Sequence, residues 1–131
     1  MAQYGFGSPV KGAFGAVVER VTQALKQEGF GVLTTIDVAA TLKAKLGQDM
    51  PPYLILGACN PGFASQALRA EPDIGLLLPC NVVVRQTEGG EVIVGFMDPE
   101  AVLGMVNKPE VSTLGHQVRA ALQRVDASLR S

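Results

Sequence analysis

The sequence predicts an α+β fold, in which a mixed, mostly antiparallel sheet is covered by the first and last helices. Amphipathic helical patterns stand near both ends of the chain, and short apolar runs of strand length lie between them. Glycine or proline separates most of these runs. The length of 131 residues suits one domain, predicted over residues 1–131. A doubly wound α/β sheet is the alternative, because helices and strands alternate through the middle of the chain.

The chain begins with a predicted edge strand and an amphipathic helix. Tyr4 and Phe6 alternate with glycines over Gln3–Val10, and Pro9 suits only an edge strand or a strand end. From about residue 13 the apolar period becomes that of a helix, which Gly29 ends. The apolar face of this helix consists of Phe14, Val17, Val18, Val21 and Leu25. Such a face indicates a helix that covers one side of a sheet.

A second strand and a short helix are predicted next. Alternation and β-branched residues indicate a strand over Phe30–Ile36. Asp37 then stands where a helix N-cap is expected, ahead of a short helix over Val38–Leu46. Gly47 ends that helix, and a pair of prolines makes residues 48–52 a loop.

The middle of the chain combines two buried-strand patterns with a helix. The continuous apolar run Tyr53–Cys59 predicts a strand that is buried on both faces. Asn60 as N-cap and Pro61 at the first helical position begin a helix that extends to about Ala70. A second buried strand is predicted over Ile74–Leu78.

The last third is predicted to contain a hairpin and two helices. Pro79 predicts a bulge or bend before an extended segment over Cys80–Gln86, and the glycines of Thr87–Glu91 indicate a hairpin turn. A return strand over Glu91–Phe96 precedes a short helix that begins at Asp98. The final helix covers about residues 110–129. Its apolar stripe consists of Val111, Leu114, Val118, Ala121, Leu122, Val125 and Leu129.

Composition and charge narrow the functional classes. The net charge is −1 and tryptophan is absent, so nucleic acid is not an expected partner. The apolar runs are far shorter than the ~20 residues of a membrane-spanning helix, and the N-terminus lacks a signal-peptide pattern. Two cysteines do not form a disulfide framework. The expected location is the cytoplasm, with reduced thiols and no membrane partner.

Two Cys-Asn pairs mark the candidate site. Cys59-Asn60 ends a predicted buried strand, and Cys80-Asn81 begins an extended one. If the two strands are neighbours, both pairs lie at one end of the sheet, where a cleft could form. Cys59, Asn60, Cys80 and Asn81 are therefore the candidate ligand-binding residues for a small molecule. The sequence indicates no particular cofactor and no catalytic residue.

These residues also have simpler structural explanations. Free cysteines often pack in cores, and Asn60 is explained as a helix cap. Against that, free amides at a helix start would favour a thiolate at Cys59. A zinc site formed by Cys59, Cys80 and His116, the single histidine, would have three ligands at no standard spacing. No metal site is predicted.

Three runs and two shorter features carry a resemblance to a known family. The runs EGFGVLTTIDV, LGACNPGFASQAL and IGLLLPCNVVV, then a hairpin and a Met-Asp-Pro triplet, resemble the bacterial and archaeal DUF302 family, a domain of unknown function. The likeness extends from about Lys11 to Leu129. It implies a single α+β domain with a layout similar to the TATA-binding-protein-like folds, and a homodimer. It implies no established activity.

Three functional hypotheses follow. The first is a cytoplasmic homodimer that binds a small ligand in a cleft near the Cys-Asn pairs. The second is a thiol-dependent enzyme or a redox or metal carrier that uses Cys59, with Cys80. The third is a structural or partner-binding module, in which the stripe of the last helix or an open sheet edge forms the dimer surface.

Overall fold

Five strands and five α-helices are found in residues 3–130, which are the residues that the computed structural model describes. The strands are β1 (Gly5–Val10), β2 (Gly31–Asp37), β3 (Tyr53–Cys59), β4 (Cys80–Gln86) and β5 (Val92–Met97). The α-helices are α1 (Phe14–Gln27), α2 (Val38–Leu46), α3 (Pro61–Ala70), α4 (Pro99–Leu103) and α5 (Pro109–Leu129). Two 3-10 segments are Pro72–Leu77 and Gly104–Val106.

The strands form one sheet in the order β1-β5-β4-β3-β2, and all four pairings are antiparallel. The predicted α+β class is therefore confirmed, although the sheet is antiparallel throughout and not mixed as predicted. The doubly wound alternative is excluded because it requires parallel strands. The helical pattern between β3 and β4 does not form a crossover. Instead, α3 and the 3-10 segment after it bring the chain back to the end of the sheet that it left, so β4 runs beside β3 in the opposite direction.

The main core lies between one face of the sheet and the helices α1 and α5. Buried side chains alternate along β4 and β5, as expected when one face is covered. The first half of β3, which was predicted to be buried on both faces, is only half-buried. The residues predicted for the stripe of α5 are all buried, and on α1 the buried set is Val17, Val21 and Leu25. Because the whole stripe is buried within this chain, with Val111 and Leu114 in a smaller cluster and the other residues in the main core, it is not the dimer surface of the third hypothesis. That part of the hypothesis is wrong.

The predicted strand over Ile74–Leu78 is also wrong. Pro72–Leu77 forms a 3-10 helix that Glu71 caps, with its carboxylate accepting a hydrogen bond from the amide of Asp73 at 3.1 Å. Ile74 is buried, whereas Leu76 is 87% exposed. Ile74 anchors the segment in the smaller buried cluster, and Leu77 and Leu78 pack against the same cluster, while β4 takes the place beside β3. The extended segment after Pro79 is confirmed as β4.

Local capping residues begin three helices where the sequence predicts them. The side chains of Asp37, Asn60 and Asp98 accept hydrogen bonds from the first amides of α2, α3 and α4. Asp98 also binds Arg119 of α5 at 3.1 Å, which ties α4 to the last helix. These caps determine the places where the chain leaves the sheet, and one of those places is the candidate site.

The two edge strands differ. β1 contains Pro9, as predicted for an edge, and its Ser8 hydroxyl donates to the buried carboxylate of Asp126 on α5 at 2.8 Å. β2, by contrast, is exposed along most of its length, and α2 after it has no buried residue. No helix within residues 3–130 is both long enough and apolar enough to cross a membrane.

Candidate functional site

An apolar cavity of about 370 Å³ opens where the ends of β3 and β4 meet α3 and α5. It lies between two buried clusters. Phe30 and Val118 of the main core face it from one side, and Ala67 and Leu114 of a smaller cluster face it from the other. Leu33, which also lines it, is 67% exposed, so the cavity opens to solvent on that side. The cavity is thus a gap between two cores.

Three of the four predicted site residues line this cavity. Cys80 is the antiparallel partner of Ala58, so the half-buried Cys59 and Asn60 that follow Ala58 lie at the same end of the sheet as Cys80. Asn81 is exposed and lines a different groove, on the other face of the sheet. Successive residues of a strand point to opposite faces, which explains the separation. The structure therefore brings Cys59, Asn60 and Cys80 together and separates Asn81 from them.

Burial keeps the Cys80 thiol protonated. Loss of hydration raises the pKa of Cys80 to about 11, and the nearby thiol of Cys59 adds to the effect. Both cysteines are free. Because only a thiolate is a strong nucleophile, Cys80 is not suited to covalent chemistry near neutral pH. It instead gives the cavity a small, weakly polar wall.

The start of α3 does not provide the free amides that the sequence suggested for Cys59. The side-chain oxygen of Asn60 accepts hydrogen bonds from the amides of Gly62 at 3.1 Å and Phe63 at 3.2 Å. Pro61 has no amide hydrogen to offer, and the amide of Ala64 bonds to the carbonyl of Asn60. The cap thus uses the donors that would otherwise stabilise a thiolate or bind an anion.

Among residues 3–130, no side-chain base lines the cavity beside Cys59. Within the described chain, the lining contains no histidine, lysine or carboxylate. His116 is exposed on α5, where its Nδ1 pairs with Glu100 Oε1 at 2.6 Å. In residues 3–130, no three His, Cys, Asp or Glu side chains are grouped closely enough to hold a metal ion. The geometry of the cavity thus favours the binding of an apolar molecule over catalysis by a thiol or coordination of a metal ion.

Most of the cavity wall was not identified from the sequence. Leu103, Leu114 and Val118 come from α4 and α5, about 40 to 60 residues after Cys59 in the chain. The only sequence pattern that marks these residues is apolar periodicity. That pattern predicts that a side chain is buried, but it does not indicate whether the space beside the side chain is filled. Leu33 lies at a register shift in the exposed strand β2, between Val32 and Thr34, and the sequence does not reveal this shift.

The family model described as domain of unknown function DUF302 matches residues 6–129, which is nearly the whole chain. The chain belongs to the DUF302 family. The predicted resemblance is therefore confirmed, and it now extends to the β1 strand at the start of the chain. Because the family is described as a domain of unknown function, membership indicates no activity.

Two relatives of this DUF302 protein illustrate the likeness. The crystal structure of an uncharacterized conserved DUF302 protein from Bacillus stearothermophilus has a TM-score of 0.90 and 32% sequence identity, over 98% of this chain and 100% of that chain. An uncharacterized protein of Aquifex aeolicus (strain VF5) is 29% identical over 82 residues, which are 62% of this chain and 51% of that protein. The match thus spans about half the length of the Aquifex protein.

Proposed function

We propose that this DUF302 protein binds a small, uncharged and largely apolar molecule in the cavity beside Cys59, Asn60 and Cys80. The observation that carries the proposal is the cavity itself. Its volume of about 370 Å³ falls in the range of small-molecule sites, roughly 300–1,000 Å³. Apolar side chains form most of its wall, with a few polar side chains among them.

The absence of charged side chains from the described wall determines the ligand class. A carboxylate or ammonium group would lose its hydration on entry and find no partner of opposite charge, which is costly. The amides at the start of α3 are already bonded to Asn60. Cys59 and Thr34 remain as weak polar contacts that suit a hydroxyl or carbonyl group of the ligand.

Filling the cavity should abolish binding without damage to the fold. Ala64 lines the cavity from α3, so the side chain of an Ala64→Leu variant would enter the space that the ligand occupies. We expect 1-octanol to shift the amide NMR resonances of Cys59, Ala67 and Leu114 in the wild type. Its affinity for Ala64→Leu should be at least tenfold lower, which corresponds to roughly 1.4 kcal/mol.

The matched control is Ala120→Leu, which adds the same atoms at an exposed position of α5. This variant should bind 1-octanol like the wild type. Octanoate, which has a chain of the same length and a charged end, should bind more weakly than 1-octanol at the same resonances. Equal binding of the two probes at this cavity, or an unchanged affinity of Ala64→Leu, would disprove the proposal.

We infer further that the protein forms a homodimer through the free edge of β2. The strand exposes Leu33, at 67%, and Ile36, at 50%, beside an unpaired row of backbone groups. Two copies of an edge strand can pair antiparallel about a two-fold axis, which makes one strand sufficient for a closed interface. We also propose that the protein is located in the cytoplasm. The two free cysteines support this location, because cytoplasmic proteins keep their thiols reduced.

Light scattering of the purified protein tests the dimer. The wild type should have the mass of two chains. Ile36→Lys places two ammonium groups at the same interface and should yield the mass of one chain, while thermal unfolding still shows a folded protein. Leu76→Lys, an equally drastic change at an 87% exposed site outside β2, should remain dimeric. A wild type with the mass of one chain would refute the dimer.

A further inference from the structure

We propose a second binding site on the face of the sheet opposite α1 and α5, for a flat organic molecule that carries a carboxylate. A groove of about 400 Å³ crosses this face. Both tyrosines of the chain, Tyr4 and Tyr53, line it together with Arg85 and Asn81. The cavity at Cys59 is on the other face, so this inference does not depend on the first proposed site.

The first reason is that Arg85 has no anionic partner among residues 3–130. The chain has six arginines, and within residues 3–130 the other five donate hydrogen bonds or pair with carboxylates. The side chain of Arg85 makes neither kind of contact with the described residues, although it is half-buried in the groove. A guanidinium group always carries its charge, and partial burial strengthens its attraction for an anion. The groove thus contains a positively charged side chain that no described anionic group neutralises.

The second reason is the shape that strand register gives the groove. Tyr53, Arg85 and Ile93 are successive cross-strand partners on β3, β4 and β5, so their side chains form one row on the same face. In the next row, Val83 pairs with Gly95. A Cβ at Gly95 would have no heavy atom within 4 Å, so the row is open at that point. The missing side chain leaves a flat floor beside Arg85.

These features match one ligand chemistry. The fork of a guanidinium group binds both oxygens of a carboxylate, and such charge-assisted pairs are the stronger hydrogen bonds. The floor at Gly95 and the apolar side chains of Ile93 and Val83 suit a flat apolar body, with the tyrosine rings beside it. No acidic side chain among the described residues lines the groove. An aromatic carboxylate satisfies both parts of the site.

The test uses 2-naphthoate and its neutral isostere 2-naphthamide, titrated into 15N-labelled protein. We expect 2-naphthoate to shift the amide resonances of Asn81, Val83 and Gly95, and to bind roughly tenfold more tightly than 2-naphthamide. Arg85→Gln should reduce the affinity for 2-naphthoate to that for 2-naphthamide. Gly95→Val, which fills the floor with a residue that suits strands, should weaken both probes at least tenfold while the variant remains folded.

Arg69→Gln is the matched control, because Arg69 is exposed on α3 and lies outside the groove. This variant should bind both probes like the wild type. Equal affinity of the wild type for the two probes would overturn the proposal, as would unchanged binding by Arg85→Gln. Resonance shifts confined to Cys59, Ala67 and Leu114 would also overturn it, since they would place the probe in the cavity instead.

Discussion

Replacing Gly7 with alanine is expected to destabilise the protein by about 3 kcal/mol. Gly7 of β1 lies opposite Gly95 of β5. A Cβ at Gly7 would collide with the carbonyl oxygen of Val94 and would lie 2.8 Å from the Cα of Gly95. Both neighbours are backbone atoms, which cannot rotate away as a flexible side chain can. The collision is relieved only if β1 moves away from β5 and strains their hydrogen bonds.

The cross-strand partner provides the control. Gly95→Ala adds the same methyl group one strand away, where a Cβ meets no atom within 4 Å. Its free energy of unfolding, measured by urea denaturation, should be equal to or slightly above that of the wild type, because alanine loses less conformational entropy than glycine on folding. Similar losses in the two variants would show that close approach at Gly7 is not the cause.

Alkaline pH should destabilise the protein through Cys80. The pKa of this thiol rises from its ordinary value of 9.0 to about 11 on folding, mainly because the side chain is buried and secondarily because Cys59 is near. The folded state therefore retains the proton between these two values while the unfolded state loses it. Stability from this group is complete below pH 9.0 and declines as the pH rises toward about 11.

Urea denaturation at about pH 8 and about pH 10.5 measures this linkage. Since one pKa unit corresponds to about 1.4 kcal/mol, the wild type should lose about 2 kcal/mol more than Cys80→Ala between the two conditions. Cys59→Ala should lose nearly as much as the wild type, because Cys80 remains buried in it. If Cys80→Ala and the wild type lost equal amounts, the alkaline loss would have to come from other groups.

Part of the candidate site could be predicted because its residues mark the ends of elements. Cys59 and Asn60 stand where a continuous apolar run meets a cap followed by proline, and that local chemistry ends a strand and begins a helix. Cys80 is the first residue of β4, and the proline just before it determines the start of that strand in a similar way. Asn81 was grouped with these residues because two similar dipeptides suggested one location. The alternation of β4 instead places its side chain on the opposite face.

The sequence by itself determined the elements whose ends depend on neighbouring residues. Asp37, Asn60 and Asp98 begin helices through hydrogen bonds to amides two or three residues away, and the spacing of apolar residues marks the buried faces of α1 and α5. These signals are local, so they can be seen in the chain before it folds. The α+β class follows from them.

Only the tertiary structure decided the strand order, the cavity and the open groove. Each of these three features depends on which segments, far apart in the chain, are in contact in the folded protein. The apolar run at Ile74 was able to form a strand only if a neighbouring strand paired with it, and β4 occupies that place beside β3. The space beside Cys59 and the missing partner of Arg85 are likewise properties of what surrounds these residues. Composition and periodicity describe the residues themselves, and they contain no information about contacts between segments far apart in the chain.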